Sequence, residues 1–426
     1  MAVPLRVAAC HAAPIFLSAR KTTDKAISLI NRAATNNAHL VVFPETFIPA
    51  FPIWSAVRPP TENHDLFKRM ALESVYADGE EMRAIREAAR KNRTLVSLGF
   101  SEKARHSSAC LYNSNIMINS DGQILVHHRK LVATFFEKLT WSHGDGYGLR
   151  VCDTPVGRIG NLICGENTNP LARFSLMAQG EQVHISSWPA IWPTRAPSPV
   201  SSNNASTSDS SAGGSTGASN YDNVAANRIR AAAHCFEAKC FGVVCAGHLG
   251  ADAIEVVAEG SLYSEAISKT LQSTSRAATL FLDPTGTQIR GFTVDSATGM
   301  QIPTDFLQHE EGILYADMNL EDCIEGKQYH DVVGGYQRLD VFDLKVNRSR
   351  RAPVKFYRYG NSQASPYYPY RPLSASSSVR VAGRRQPPIP YRPIPPRLSK
   401  PSVSRRNGST FGPTPSATPQ LGKPEF

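Results

Sequence analysis

Short apolar runs alternate with longer stretches in which apolar residues recur every three or four positions. The runs Leu5–Cys10, Leu40-Val41-Val42-Phe43, Thr94–Gly99, Arg158–Ile163, Val183–Ser187 and Phe241–Cys245 read as strands. Leu40–Phe43 is apolar at every position, which suits a parallel strand covered on both faces. Tyr112–Asn119 and Gln123–His128 flank an Asp121-Gly122 turn and read as an antiparallel pair. The helical stretches are 24–36, with Ala26, Leu29, Ile30 and Ala33 on one face, and 79–92, 170–178 and 221–239. Asp283-Pro284-Thr285-Gly286 marks a turn between the last pair of strands. Strands alternating with helices predict an α/β architecture. No internal repeat is visible.

Three strand ends carry chemistry. Cys164 follows Arg158–Ile163 and enters the turn Gly165-Glu166-Asn167. The crevice at the C-terminal ends of such strands is where open α/β sheets gather ligands, and turn N–H groups there can hold an oxyanion. Glu45 follows Leu40–Phe43 after Pro44, which ends the strand. Lys130 follows His127-His128-Arg129. Singly, each has a plainer explanation: a core thiol, a solvated carboxylate, a surface amine. Together they form a coherent set. The carboxylate can accept the thiol proton, and the ammonium can stabilise a thiolate and a charged tetrahedral intermediate.

The order Phe43-Pro44-Glu45-Thr46-Phe47-Ile48-Pro49, then Arg129-Lys130-Leu131 with Thr134-Phe135 and Glu137, Gly144-Asp145-Gly146, Cys164-Gly165-Glu166-Asn167 with Asn169–Arg173, and Asp331–Tyr336 resembles the nitrilase branch of the carbon–nitrogen hydrolase superfamily. The resemblance spans roughly residues 3–346. It implies a four-layer αββα sandwich and a catalytic triad of Glu45, Lys130 and Cys164, with Glu137 as an assisting second glutamate. It implies hydrolysis of an organic nitrile to a carboxylic acid and ammonia through a thioimidate and a thioester on Cys164, with no metal or organic cofactor. It also implies self-association into dimers or larger spirals. The same-fold alternatives are an amidase, a carbamoylase or a cyanide hydratase. A different class, an inactive scaffold whose basic tail binds a partner, is disfavoured by the intact Glu45, Lys130 and Cys164.

The chain departs from this pattern at Gly165, where many nitrilases carry Trp, and at His11, where relatives often carry Gln. The smaller residue at 165 widens the expected pocket. Gly165, Trp188, Phe135 and Trp54 flank the motifs and are the candidate substrate-binding residues. Glu166 is read either as a buried ion-pair partner, with Arg129 the candidate cation, or as a catalytic part. His330 either covers the site or packs.

Composition changes the picture in one respect. The net charge of +10 suggests a nucleic-acid binder, but residues 348–426 hold 15 Lys and Arg against one acid, leaving residues 1–347 mildly acidic. That segment also holds 15 of the 30 prolines, so it reads as a basic, Pro-rich, mostly disordered tail behind a catalytic domain over 1–347. A Ser-rich stretch, about 198–220, reads as an inserted surface loop. The 8 cysteines form no CxxC pair, which suits a reducing compartment and a cytoplasmic location. The N-terminus reads as a first strand rather than a signal peptide, and no apolar run reaches the ~20 residues of a membrane span.

Overall fold

The computed structural model describes residues 4–195 and 222–354; the Ser-rich stretch and nearly all of the basic tail lie outside them. Fourteen strands occur in chain order: β1 (Leu5–His11), β2 (Leu40–Val42), β3 (Leu95–Lys103), β4 (Leu111–Ile118), β5 (Ile124–Arg129), β6 (Cys152–Thr154), β7 (Gly157–Ile163), β8 (Val183–Trp188), β9 (Phe241–Ala246), β10 (Leu280–Leu282), β11 (Gln288–Ile289), β12 (Gly291–Val294), β13 (Gln301–Thr304) and β14 (Gly312–Met318). They form two sheets. One has eight strands in the order β13-β12-β14-β1-β2-β3-β4-β5, and the other six in the order β11-β10-β9-β8-β7-β6. The neighbours β1–β2–β3 and β7–β8–β9 are parallel, and β4–β5 is the antiparallel pair around Asp121-Gly122.

The alternation of side chains along each strand decides the layering. Val7, Ala9, Leu40 and Val42 turn inward and meet Ile159, Val183, Ile185, Phe241 and Val243 of the other sheet. Their neighbours Ala8, Cys10, Val41 and Phe43 turn outward. Helices Ala19–Thr35 and Glu80–Asn92 cover that outer face with Ala26, Leu29, Ile30, Met82 and Ile85. On the six-stranded sheet, helix Asn223–Ala238 packs Ala231, Cys235 and Ala238 onto Ile163, Val244 and Leu282. Helix Pro170–Met177 adds Ala172 and Leu176 against Leu162. The result is the expected αββα sandwich. Both faces of each sheet are covered, so the run at Leu40–Phe43 has no polar position.

One feature differs from the reading above, and two details extend it. The turn at Asp283–Gly286 joins β10 to β11 and is followed by β12, β13 and β14. The last of these pairs antiparallel with β1 and completes the larger sheet. His11 lies outside the site: its ring contacts the Ala246 and Gln308 carbonyls, and burial lowers its pKa to about 4. Packed residues lie on both sides of position 347. Val346 packs beside Leu162 and Leu176, and Arg350 donates to the His127 carbonyl and pairs with Asp145.

Candidate active site

Two sheets deliver the chemistry to one place. Glu45, Lys130 and Glu137 follow strands of the eight-stranded sheet, and Cys164 follows β7 of the six-stranded one. Beyond β2, Pro44 lacks the N–H that would continue the ladder. The chain turns, with Thr46 at φ 42°. Gly99 of β3 lies directly beneath this turn. A Cβ on it would sit 2.3 Å from the Pro44 carbonyl oxygen and 2.6 Å from the Thr46 nitrogen, so only glycine permits the approach.

Lys130 is fully enclosed. Its ammonium donates to Glu45 Oε1 at 2.8 Å and to both oxygens of Glu137 at 2.8 Å. The strand leading to it is anchored by Arg129, which pairs with Glu102. Glu137 lies in a single 3-10 turn, Phe135–Leu139, whose start is fixed by the Thr134 N–H donating back to Glu137 Oε2 at 3.0 Å. Asn113 of β4 adds a second donor to Glu45 Oε1 at 2.6 Å. Glu45 Oε2 is buried and makes no hydrogen bond among the described residues. One oxygen of Glu45 is therefore locked and the other is free to take a proton.

Cys164 ends β7 in the left-handed region, at φ 51°, a conformation costly for a side chain that carries a Cβ. Hydrogen bonds hold it there. Glu166 accepts from the Ile163 N–H at 2.8 Å and the Leu131 N–H at 2.6 Å, and lies 2.9 Å from His128 Nε2. It therefore clips the end of β7 to the end of β5 across the sandwich. Its partner is His128 rather than Arg129, whose guanidinium is taken by Glu102. The structural reading of Glu166 is the one its contacts match. Asn167 donates to the Cys164 carbonyl at 3.0 Å and contacts His184. Glu181 lies between His184 and His234, whose rings stack at 3.6 Å. Burial works against the Glu181 charge, but the two histidines hold its pKa down at about 2.

An oxygen of Glu45, an oxygen of Glu137 and the Cys164 sulfur all lie within 4.8 Å of one another. Such a set has the donors of a cation site, but the Lys130 ammonium already sits between the carboxylates. The other cluster with metal-type donors, Glu181, His234 and Cys240, is likewise committed through the Glu181 hydrogen bonds. Electrostatics follow from burial. Enclosure raises the Cys164 thiol well above its usual range, Glu45 adds to this, and Lys130 opposes it. Burial disfavours the Lys130 charge, but Cys164, Glu137 and Glu45 outweigh it and hold the amine well above its ordinary value. Glu137 is pushed up to about 7 by burial and by Glu45 against the pull of Lys130. One ammonium does not neutralise two buried carboxylates. Burial thus favours the protonated form of the sulfur, and a carboxylate lies beside it.

The thiol opens into a cavity of about 330 Å³. Gly165 and Trp188 line it, together with Trp192, Asn227 and Arg230. A smaller apolar cavity of about 40 Å³ touches Glu45. The other two candidate binding residues lie elsewhere. Trp54 is sealed in an apolar cluster with Phe16, Ile53 and Val257. Phe135 adopts φ 47° and turns outward, 69 % exposed. Its neighbour Phe136 turns inward and stacks on Trp192 at 4.3 Å. His330 is exposed and stacks on Tyr336. Gly165 abuts Thr134, whose Oγ1 lies 2.8 Å from where a Cβ would stand, so a side chain at 165 requires Thr134 to shift. The sequence reading missed Asn113, Trp192, Asn227 and Arg230. A signal existed for two of them: Asn223, Asn227 and Arg230 share one helical face at spacings of four and three.

The carbon–nitrogen hydrolase family model matches residues 6–328. A nitrilase of Penicillium rubens is 35% identical over 358 residues, covering 83% of this chain and 96% of that protein. An arylacetonitrilase of Hypocrea virens is 30% identical, covering 82% of this chain and 94% of that one. Among solved structures, a carbon–nitrogen hydrolase of Helicobacter pylori superposes with a TM-score of 0.55 at 16% identity, over 79% of this chain and 96% of that one; at that identity the likeness speaks for the fold alone. With a sandwich of this topology, and a family match that covers all four of Glu45, Lys130, Glu137 and Cys164, the chain belongs to the carbon–nitrogen hydrolase family.

Proposed function

We propose that the protein is a nitrilase that converts an organic nitrile to its carboxylic acid and ammonia, with Cys164 as nucleophile, Glu45 as general base and acid, Lys130 as electrostatic stabiliser and Glu137 as assistant. The observation that carries this reading is the unpartnered Glu45 Oε2 in the same buried cluster as the thiol and the ammonium. Glu45 takes the thiol proton as sulfur adds to the cyano carbon, and returns it to nitrogen to give a thioimidate. A water, deprotonated by Glu45, adds next. Lys130 and the N–H of residue 165 stabilise the tetrahedral adduct. Cleavage of the C–N bond releases ammonia and leaves a thioester, which a second water hydrolyses to the acid and the free thiol. Cleavage of the C–S bond instead releases the amide, so one site yields either product.

Incubation with a nitrile panel is expected to release ammonia and acid. Mass spectrometry during turnover is expected to find an acyl adduct on the peptide that contains Cys164. Turnover of amides alone, with no nitrile consumed, would move the assignment to an amidase.

Gly99→Ala tests the support beneath the base. The added methyl has to displace the Glu45 turn, and misplacement by about 1 Å is expected to cost on the order of 10²-fold in kcat/KM. Unchanged kinetics in a folded variant would show that the turn accommodates a side chain.

A further inference from the structure

The cavity beside Cys164 contains polar groups that the hydrolytic steps leave unused. Helix Asn223–Ala238 presents Asn223, Asn227 and Arg230 to it along one face. Asn223 is committed, donating to the Ser275 carbonyl at 2.6 Å. The other two are not. Asn227 is only 5 % exposed and lines the cavity, and no hydrogen bond joins its side-chain amide to another described residue. The amide therefore keeps its donor and its acceptor for a molecule held in the cavity.

Arg230, one turn further along, has no carboxylate partner among the described residues. Its guanidinium lies over the Trp188 ring, 5.3 Å from the centroid. That ring is itself fixed by its N–H donating to Ser186 Oγ at 3.2 Å. Stacking on an aromatic plate holds the guanidinium plane and leaves its edge donors free. Among the described residues that line this cavity there is no Asp or Glu, and Arg230 alone carries a charge.

We propose that Asn227 and Arg230 form a carboxylate-binding subsite, and that the preferred substrates are short nitriles carrying a carboxylate at the end away from the cyano group. The inference rests on the nitrilase reading for the reaction and adds the substrate class. The Arg230 fork matches a carboxylate through two parallel hydrogen bonds, and the Asn227 amide supplies a further donor. A positive anchor on the non-reacting end also orients the cyano carbon towards sulfur, where binding energy is converted into rate.

The test compares cyanoacetate and β-cyanopropionate with their methyl esters, in the full chain and in Arg230→Gln and Asn227→Ala. The wild type is expected to favour the acid of at least one pair. The ratio of kcat/KM for acid over ester is expected to fall about ten- to a hundredfold in Arg230→Gln, and less in Asn227→Ala. The ratio does not depend on the fraction of folded enzyme. Equal treatment of acid and ester by the wild type, or a ratio that Arg230→Gln leaves alone, overturns the subsite. If no nitrile is consumed at all, it is the reaction assignment that fails. Butyrate is then tested for protecting Cys164 from iodoacetamide. Protection in the wild type that is lost in Arg230→Gln upholds the subsite, and absence of protection in the wild type ends it.

Discussion

Cys164→Ala is expected to abolish nitrile turnover, by about 10⁴-fold or more, while shifting unfolding free energy by less than about 1 kcal/mol. The two effects separate because the sulfur is chemically indispensable and structurally marginal. It is the only thiol grouped with Glu45 and Glu137 among the described residues, and no other side chain in that group can form the covalent intermediate. Among the described residues it makes no hydrogen bond or ion pair through Sγ, and it borders a cavity, so its removal enlarges an existing space instead of opening a sealed void. The left-handed backbone at 164 suits alanine no worse than cysteine, since both carry a Cβ. Ammonia release and a urea melt on the same preparation check both halves. Residual turnover above background in a folded Cys164→Ala protein would remove the nucleophile assignment.

Lys130→Met is expected to damage both activity and fold. It leaves Glu45 and Glu137 buried, oxygen near oxygen, with no cation between them. Breaking a buried pair in this way costs about 3–5 kcal/mol at neutral pH. The pH dependence gives the argument its sign. Without the ammonium, the Glu137 carboxyl holds its proton still more tightly in the folded protein than in the unfolded chain. Glu137 already leans that way in the wild type, pushed up to about 7. A carboxyl with its folded pKa above its unfolded one contributes stability that is complete below the unfolded value and is lost as pH rises through the folded value. The deficit of Lys130→Met against wild type should therefore shrink at about pH 5 and widen at about pH 8. Adding Glu137→Gln should recover part of it. An equal deficit at both pH values in urea unfolding would show that packing around the lysine stem, rather than carboxylate repulsion, sets the cost.

The fold and the proposed reacting groups were legible because each rests on a local pattern. Doubly covered strands have to be apolar at every position, so β2 was visible as Leu40–Phe43, and the residue delivered beyond it was visible with it. The same holds for Arg129 before Lys130 and Ile163 before Cys164. The cavity wall was less legible. In the irregular segment after Lys130, the left-handed backbone at Phe135 sends one ring outward and the next inward, which periodicity does not reveal. Trp54 lies in a short helix, Trp54–Val57, whose packing against Phe16 and Val257 depends on the distant helix Ala251–Ala258. Asn113 and His128 find their partners 68 and 38 residues away. Such pairings are set by sheet register, and no local pattern announces them. Asn227 and Arg230 were on the page as helix residues, but which face a helix shows to a cavity depends on what it covers.

The split origin of the reacting groups has a consequence for the chain before it is finished. The sulfur belongs to one slab and its base and cation to the other, and Glu166 fastens the slabs where they touch. In a half-assembled molecule the thiol therefore lies apart from the Glu45–Lys130 pair, without the base that the proposed mechanism gives it. On the proposed roles, hydrolysis of a nitrile thus requires both sheets in place at once.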